Sequence, residues 1–123
     1  MAKHFTELAA WQLSDALRQI IVEITDRPNV NRDFKYCDQC KDAARSAASN
    51  IAEGFGRSSH REFARFIDIS IGSLSELEDL LIDGRRRGRV TEEDLARGMQ
   101  LVKRARGACI GLARYLRNSR NRW

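Results

Sequence analysis

Apolar side chains recur at steps of three and four residues in four successive stretches of this chain. Such spacing places them on one face of an α-helix, which turns once in about 3.6 residues. No stretch shows the apolar–polar alternation that is typical of a half-buried strand. The only proline among the 123 residues, Pro28, follows the first stretch, where it ends a helix instead of interrupting one. The chain is therefore predicted to be all-α.

The periodicity predicts four helices, over about residues 7–26, 34–56, 60–84 and 92–118. Thr6, Ser59 and Thr91 are predicted N-caps, and the last two have an acid three residues later, as in a capping box. The short connections favour antiparallel neighbours. We expect a single domain over residues 1–123, an up-down-up-down four-helix bundle.

The core face of the second helix is built largely from small side chains, which let a neighbouring backbone come close. This seam consists of Cys37, Cys40, Ala44, Ala47, Ile51 and Gly54. Gly54 is interpreted as the residue that lets the second helix end. Gly72 and Ser73 are predicted to allow a tight approach of the third helix to the alanines of the second.

Cys37 and Cys40 have the Cys-x-x-Cys spacing that can bind zinc or carry out redox chemistry. In an antiparallel bundle, Cys109 lies about 20 Å from Cys37 and His60 about 25 Å from Cys40, at about 1.5 Å per residue. His4 belongs to the end where His60 lies, so four ligands do not converge within one protomer. The cysteines are interpreted as a core or half-buried pair, with a redox site or an intersubunit metal site as the alternative.

The two histidines share one end of the predicted bundle, and both are expected to be solvated. No nucleophile or third partner accompanies His4 and His60. Glu53, Glu76 and Glu78 lack the Glu-x-x-His motifs of a di-iron bundle, and the chain has no Gly-rich phosphate loop. We therefore expect no enzymatic activity, no cofactor and no metal site.

The three cysteines do not make a disulfide framework, which favours a reducing compartment. No signal peptide and no apolar run of membrane-spanning length is visible in the sequence. The expected localisation is therefore cytoplasmic, without a membrane partner.

Positive charge is predicted to collect at one end of the bundle. Lys and Arg together number 22, and Asp and Glu number 17, for a formal net charge of +5. We call the start of the first helix, the turn between the second and third, and the end of the fourth the basic end. Its cations are Lys3, Arg57, Arg61, Arg65, Arg114, Arg117, Arg120 and Arg122, and its acids are Glu7, Glu53 and Glu62. The opposite end carries seven cations and seven acids.

Two interpretations of the basic end are open. It binds nucleic acid, with Tyr115 and Trp123 available to stack on bases. Alternatively, its cations only complement the negative C-terminal dipole of the fourth helix and stay solvated. Repetition of the surface around an oligomer would favour binding, because phosphate contacts add up.

Four motifs resemble those of a known bacterial family. They are Arg45-Ser-Ala-Ala-Ser-Asn50-Ile-Ala-Glu-Gly54, Arg57-Ser58, Phe63-x-x-Phe66 and Gly72-Ser-Leu-Ser-Glu-Leu-Glu78. In this combination the chain resembles the 23S rRNA intervening-sequence proteins, from Phe5 to about Leu116. The resemblance implies a four-helix bundle that assembles as a ring of five. The family name records the position of some genes within rRNA genes and establishes no activity. More distantly similar bundles are nucleic-acid-binding accessory proteins of retroelement reverse transcriptases.

Asn50, Glu53 and Glu76 are the polar residues of these motifs that we single out. Asn50 and Glu53 lie one turn apart and are expected to face the region of Ser70 and Arg57. They form either a buried polar network that fixes the register of the bundle or the rim of a ligand or partner surface.

The sequence predicts a non-enzymatic, ring-forming scaffold or interaction protein, a homopentamer by resemblance, that presents its basic end to RNA or DNA. The candidate nucleic-acid-binding residues are Arg57, Arg61, Arg65, Arg114, Arg117, Arg120 and Arg122. The alternative is an accessory protein that binds another protein and has no nucleic-acid role.

Overall fold

The computed structural model describes residues 2–119, which form four α-helices after one short 3-10 turn. The turn spans Phe5–Glu7, and the helices are α1 (Ala9–Thr25), α2 (Phe34–Phe55), α3 (His60–Arg86) and α4 (Glu92–Asn118). Helices α1 and α3 each pack against both α2 and α4. The predicted all-α four-helix bundle is confirmed, and residues 2–119 contain no strand. None of the helices in this range is both long enough and apolar enough to cross a bilayer.

The first residues of α3 and α4 lie where the capping signals predict them, and α2 also begins after a side-chain cap. The Asp33 side chain accepts a hydrogen bond from the Tyr36 amide at 3.2 Å, and Ser59 Oγ accepts one from the Glu62 amide at 3.2 Å. Before α4, Thr91 Oγ1 accepts from the Asp94 amide at 3.0 Å. The Asp94 carboxylate in turn accepts from the Thr91 amide at 3.2 Å, so this capping box is complete.

The prediction of Thr6 as the N-cap of α1 was wrong. The imidazole of His4 caps the 3-10 turn, and Glu7 accepts a hydrogen bond from the His4 amide at 3.0 Å. The Thr6 hydroxyl is engaged with His4 Nδ1 at 2.9 Å, and α1 begins two residues after Glu7, with Leu8 as its N-cap.

Gly54 lies inside α2, and the interpretation that it ends the helix was wrong. A Cβ added at Gly54 would lie 2.7 Å from Phe63 Cδ1 and 2.7 Å from Phe66 Cβ, so the missing side chain lets α3 come close. At Gly72, an added Cβ would meet no atom within 4 Å. The tight approach predicted at Gly72 therefore occurs at Gly54, nearer the turn between α2 and α3.

The buried core contains the small-residue seam of α2 and the predicted apolar faces of its neighbours. Leu17, Ile21, Ile67, Leu74 and Val102 are each no more than 1% exposed. The side chains of Leu8, Trp11, Leu95, Met99 and Leu112 pack against this core while remaining partly exposed. The core thus extends along the whole bundle, from one end to the other.

An ion pair between a half-buried arginine and a buried carboxylate connects the loop after α1 to the start of α4. Asp94 is 2% exposed, and its Oδ1 accepts a hydrogen bond from Arg27 Nη2 at 3.0 Å. This hydrogen bond is the largest cause of a lowered Asp94 pKa, about 2 against an ordinary 3.8. The sequence indicated Asp94 as a capping residue but gave no sign of Arg27 as its partner, because the two are 67 residues apart.

We expect Gly54→Ala and Gly72→Ala to change stability in opposite directions. The new methyl group at position 54 would collide with Phe63 and Phe66, and overpacking of this kind costs about 1–3 kcal/mol. At position 72 the methyl group has open space, and alanine favours an exposed helix interior by about 0.5–1 kcal/mol over glycine. Urea unfolding of both variants measures the difference. Equal effects would contradict the packing described for Gly54.

We expect Asp94→Asn to remove an acid-sensitive part of the stability. Because the folded pKa of Asp94 is depressed, its contribution is complete above the unfolded value of 3.8 and is lost as the pH falls through about 2. A shift of this size corresponds to about 2 kcal/mol. Urea unfolding between pH 6 and pH 2 should show wild type and variant converging as the pH falls. A difference that stays constant with pH would exclude this role for Asp94.

Candidate nucleic-acid interface

Three of the six arginines of the opposite end are paired with acids, namely Arg27, Arg87 and Arg89. Arg89 Nε lies 3.2 Å from Asp33 Oδ2, and Arg87 Nε lies 3.2 Å from Asp83 Oδ2. The Arg87 guanidinium also stands 5.4 Å from the centre of the Tyr36 ring. With the pair between Arg27 and Asp94, these contacts link the loops of this end to the neighbouring helices, and the cations and acids of this end are equal in number.

At the basic end, two of the predicted arginines are also paired. Arg57 lies 3.0 Å from Glu53, one turn earlier on α2, and its guanidinium stands 4.6 Å from the centre of the Phe66 ring. Arg117 on α4 pairs with Asp68 on α3. Asp68 was left out of the predicted charge balance, so the described part of the basic end holds six cations and four acids. Arg120 and Arg122, and the stacking candidate Trp123, lie outside the described residues.

Arg61, Arg65 and Arg114 are exposed, and within residues 2–119 none of them forms an ion pair. Arg61 lies in the first turn of α3, and Arg65 lies one turn further along the same helix. Arg114 lies on α4 and borders a separate groove with Ile110 and Asp68. These three arginines and Lys3 are therefore the cations of the described basic end that form no ion pair there.

A cleft of about 660 Å³ lies between the start of α3 and the end of α4. We call it the α3–α4 cleft, and its lining consists of Ser59, His60, Arg61, Arg65, Leu116, Arg117 and Ser119. Three of the predicted nucleic-acid-binding arginines thus surround one concave surface. Arg57 and Arg114 are not part of its lining.

His60 contradicts the expectation that both histidines are solvated. It is 2% exposed, whereas His4 is exposed. His60 is the first residue of α3, and its ring lies 6.0 Å from the ring of Tyr115 on α4. Ser59, His60 and Ser119 are cleft residues that sequence reasoning missed, although the topology had already placed the turn before α3 beside the end of α4.

The polar motif residues do not form one site. Asn50 Nδ2 donates to the Ser46 carbonyl oxygen at 2.9 Å and to Ser46 Oγ at 3.0 Å. Ser73 Oγ donates to Ser46 Oγ at 2.8 Å, which links α3 to α2. Glu53 pairs with Arg57 on the surface, and Glu76 is exposed. Asn50 therefore takes part in a polar contact between helices, reaching Ser73 through Ser46, instead of facing Ser70 as expected.

All three cysteines are buried. Cys37 Sγ donates to the Val30 carbonyl oxygen at 3.4 Å. Burial raises the pKa of the Cys40 and Cys109 thiols to about 11, and it also raises that of Cys37. These thiols are therefore protonated near neutral pH and lie in the core, as the interpretation of a core pair for Cys37 and Cys40 predicts. Within residues 2–119, no three side chains of His, Cys, Asp or Glu are grouped so that they could hold a metal ion.

The basic end differs from the opposite end because its cations outnumber its acids. Arg61 and Arg65 face a cleft without a carboxylate partner among the described residues, and the N-terminus of α3 adds its positive dipole there. Such a surface can bind an anion through guanidinium groups and hydroxyls.

Comparison with known proteins identifies the family of the chain. No curated protein sequence matches it. The 23S rRNA-intervening sequence protein family matches it over residues 6–110. The match includes Asn50, Glu53, Glu76, Arg61 and Arg65, and it ends before Arg114 and Arg117. Because the match covers most of the sequence, the resemblance of the motifs is confirmed, and the chain belongs to the 23S rRNA-intervening sequence protein family.

Proposed function

We propose that the protein is a non-enzymatic, oligomeric scaffold of the cytoplasm that binds RNA or DNA through the α3–α4 cleft. The observation that carries this proposal is the placement of Arg61 and Arg65 at the cleft without an ion pair in the described part of the chain. Guanidinium groups bind phosphate oxygens in a bidentate manner and keep their charge at any physiological pH.

Helix dipoles account for some of the arginines of the basic end but not for these two. Arg114 and Arg117 lie near the C-terminus of α4, where a cation is favoured by about 0.3–1 kcal/mol. Arg61 lies in the first turn of α3, where the dipole disfavours a cation. Arg65 lies one turn away, and a like-charged pair at this spacing is unfavourable by about 0.2–0.5 kcal/mol. A bound phosphate would offset both costs, which supports anion binding over simple solvation.

Assembly into a homopentamer is the second part of the proposal. The family resemblance supports it, and apolar side chains exposed on α3 and α4 are consistent with contacts between copies. Ile69 is 50% exposed and Ile110 is 41% exposed. A ring would present five copies of the cleft, and the binding energies of several phosphate contacts add up along one strand.

The exposed apolar side chains also support a second candidate function, an accessory protein that binds another protein and no nucleic acid. Phe34 is 74% exposed at the start of α2, and Tyr115 is 52% exposed on α4. Exposed aromatic side chains are enriched in protein interfaces. Purification with nuclease treatment separates the two functions, because a protein partner is retained and a nucleic-acid partner is lost.

We expect the double variant R61A/R65A to bind a single-stranded oligonucleotide at least about tenfold more weakly than wild type. The slope of log K against log salt concentration should fall by about 1.4 for each engaged protomer, because each lost phosphate contact contributes about 0.7. Fluorescence anisotropy at several salt concentrations measures both quantities.

R85A/R86A is the matched control for this variant. Arg85 and Arg86 are also exposed on α3 and also lack an ion pair among residues 2–119, but they lie in its last turn at the opposite end. The control therefore removes the same charge from the same helix. Equal loss of affinity in both variants would show binding by net charge alone, and no salt-dependent binding by wild type would exclude the nucleic-acid role.

The oligomeric state is tested by native mass spectrometry. We expect a species of five times the 14.1 kDa chain mass, which persists after nuclease treatment. A monomer at micromolar concentration would contradict the scaffold proposal, whatever the affinity for nucleic acid.

A further inference from the structure

We propose that the α3–α4 cleft binds the terminal phosphate of a single nucleic-acid strand, and not the internal phosphates of a duplex. This inference rests on the proposed function and adds the chemical group that the site recognises. It follows from the shape of the cleft, from the charge around it and from the aromatic ring beside it.

The shape of the cleft suits a strand end. Its volume of about 660 Å³ is within the range of about 300–1,000 Å³ that is typical of small-molecule sites. It lies between the ends of two neighbouring helices, whose axes are separated by about 8–10 Å in packed pairs. A terminal phosphate with its sugar can enter such a space, whereas the phosphates of a duplex lie along a broad rod that contacts only the rim.

The charge of the cleft suits a phosphate monoester. Arg61, Arg65 and Arg117 line it, and the hydroxyl-bearing Ser59 and Ser119 lie at its two helix ends. A monoester carries a charge of about −1.5 to −2 near pH 7 and three acceptor oxygens, while an internal diester carries a single charge. Three guanidinium groups around one concave surface therefore favour the terminal group over an internal one.

Two of these three arginines form no ion pair in the described part of the chain, and the third is paired with an acid. Arg61 and Arg65 have no ion pair within residues 2–119, whereas Arg117 is held by Asp68. Arg61 and Arg65 would therefore bind the phosphate without first breaking an ion pair. Arg117 lies on the α4 side of the cleft, and its ion pair with Asp68 links α4 to α3 at the surface.

The ring of Tyr115 gives the strand end a second contact. Tyr115 is 52% exposed, and its ring centre lies 6.0 Å from that of His60, which lines the cleft. A base stacked on an aromatic side chain contributes about 1–3 kcal/mol and requires no particular sequence. A phosphate in the cleft and the adjacent base on Tyr115 would together hold one terminal nucleotide.

The test compares single strands of one sequence that differ only at their ends. Wild-type protein is titrated into a labelled strand with a 5′-phosphate, the same strand with a 5′-hydroxyl, one with a 3′-phosphate, and a circular strand without ends. We expect a strand with a terminal phosphate to bind at least about tenfold more tightly than the hydroxyl strand and the circle. Nearly equal affinity for all four would overturn the inference.

Competition titrations identify which kind of phosphate compound the cleft binds. Inorganic phosphate and a nucleoside monophosphate are used as competitors against the phosphorylated strand. Competition by the monophosphate at far lower concentration than by inorganic phosphate supports recognition of a terminal nucleotide, and equal competition would show a site for the free ion instead. Equally tight binding of a phosphoserine peptide would overturn the assignment to nucleic acid.

Two variants test which residues cause the preference for a terminal phosphate over a terminal hydroxyl. R65Q should remove most of the difference between phosphate and hydroxyl ends, and Tyr115→Ala should weaken both strands while keeping that difference. Retention of the full preference in R65Q, in a protein with unchanged circular dichroism, would place the phosphate elsewhere. If wild type binds all strands equally and salt-dependently, the proposed function stands without this inference; if it binds none, the proposed function fails.

Discussion

The close contact of Gly54 with Phe63 and Phe66 determines how α3 leaves the turn after α2, and the basic end depends on it. Because position 54 has no side chain, the two helices approach within ordinary packing distance directly after a short turn. The first turn of α3 is thereby fixed beside the last turns of α4, which pack against it along the bundle. Arg61 and Arg65 reach one cleft with Arg117 as a result of this helix packing, although the three residues are distant in sequence.

The two ends of the bundle use their arginines in different ways. At the opposite end, Arg27 pairs with Asp94, and Arg87 and Arg89 both pair with Asp33, so these arginines are bound to acids of other segments. At the basic end, Arg61 and Arg65 gain no ion pair within the described range and lie against the dipole of α3. Arg85 and Arg86 also lack an ion pair among residues 2–119, but they lie in the last turn of α3, where the helix dipole favours cations. Because the dipole at the start of α3 disfavours Arg61, the placement of Arg61 and Arg65 is better explained by binding than by folding.

The helices, the N-caps of α3 and α4 and the small-residue seam could be predicted from the sequence, because local spacing and capping chemistry determine them. Three contacts could not be predicted from the sequence. The His60 ring lies beside Tyr115 of α4, Asp68 pairs with Arg117, and Arg27 pairs with Asp94, and each of these contacts joins residues far apart in the chain. Topology predicted which end each residue occupies, but not the rotation of each helix about its axis, on which side-chain partners depend. The same limit explains why the tight approach was assigned to Gly72 instead of Gly54.

The most direct test of this account is an amide NMR titration of the protein with a short single strand that carries a 5′-phosphate. The account predicts that the largest shift changes fall on residues 59–65 and 114–119, the two chain segments that border the α3–α4 cleft and carry Tyr115. The amides of residues 83–89, at the opposite end, should change little. Changes centred on residues 83–89, or spread evenly along α4, would contradict binding in the cleft.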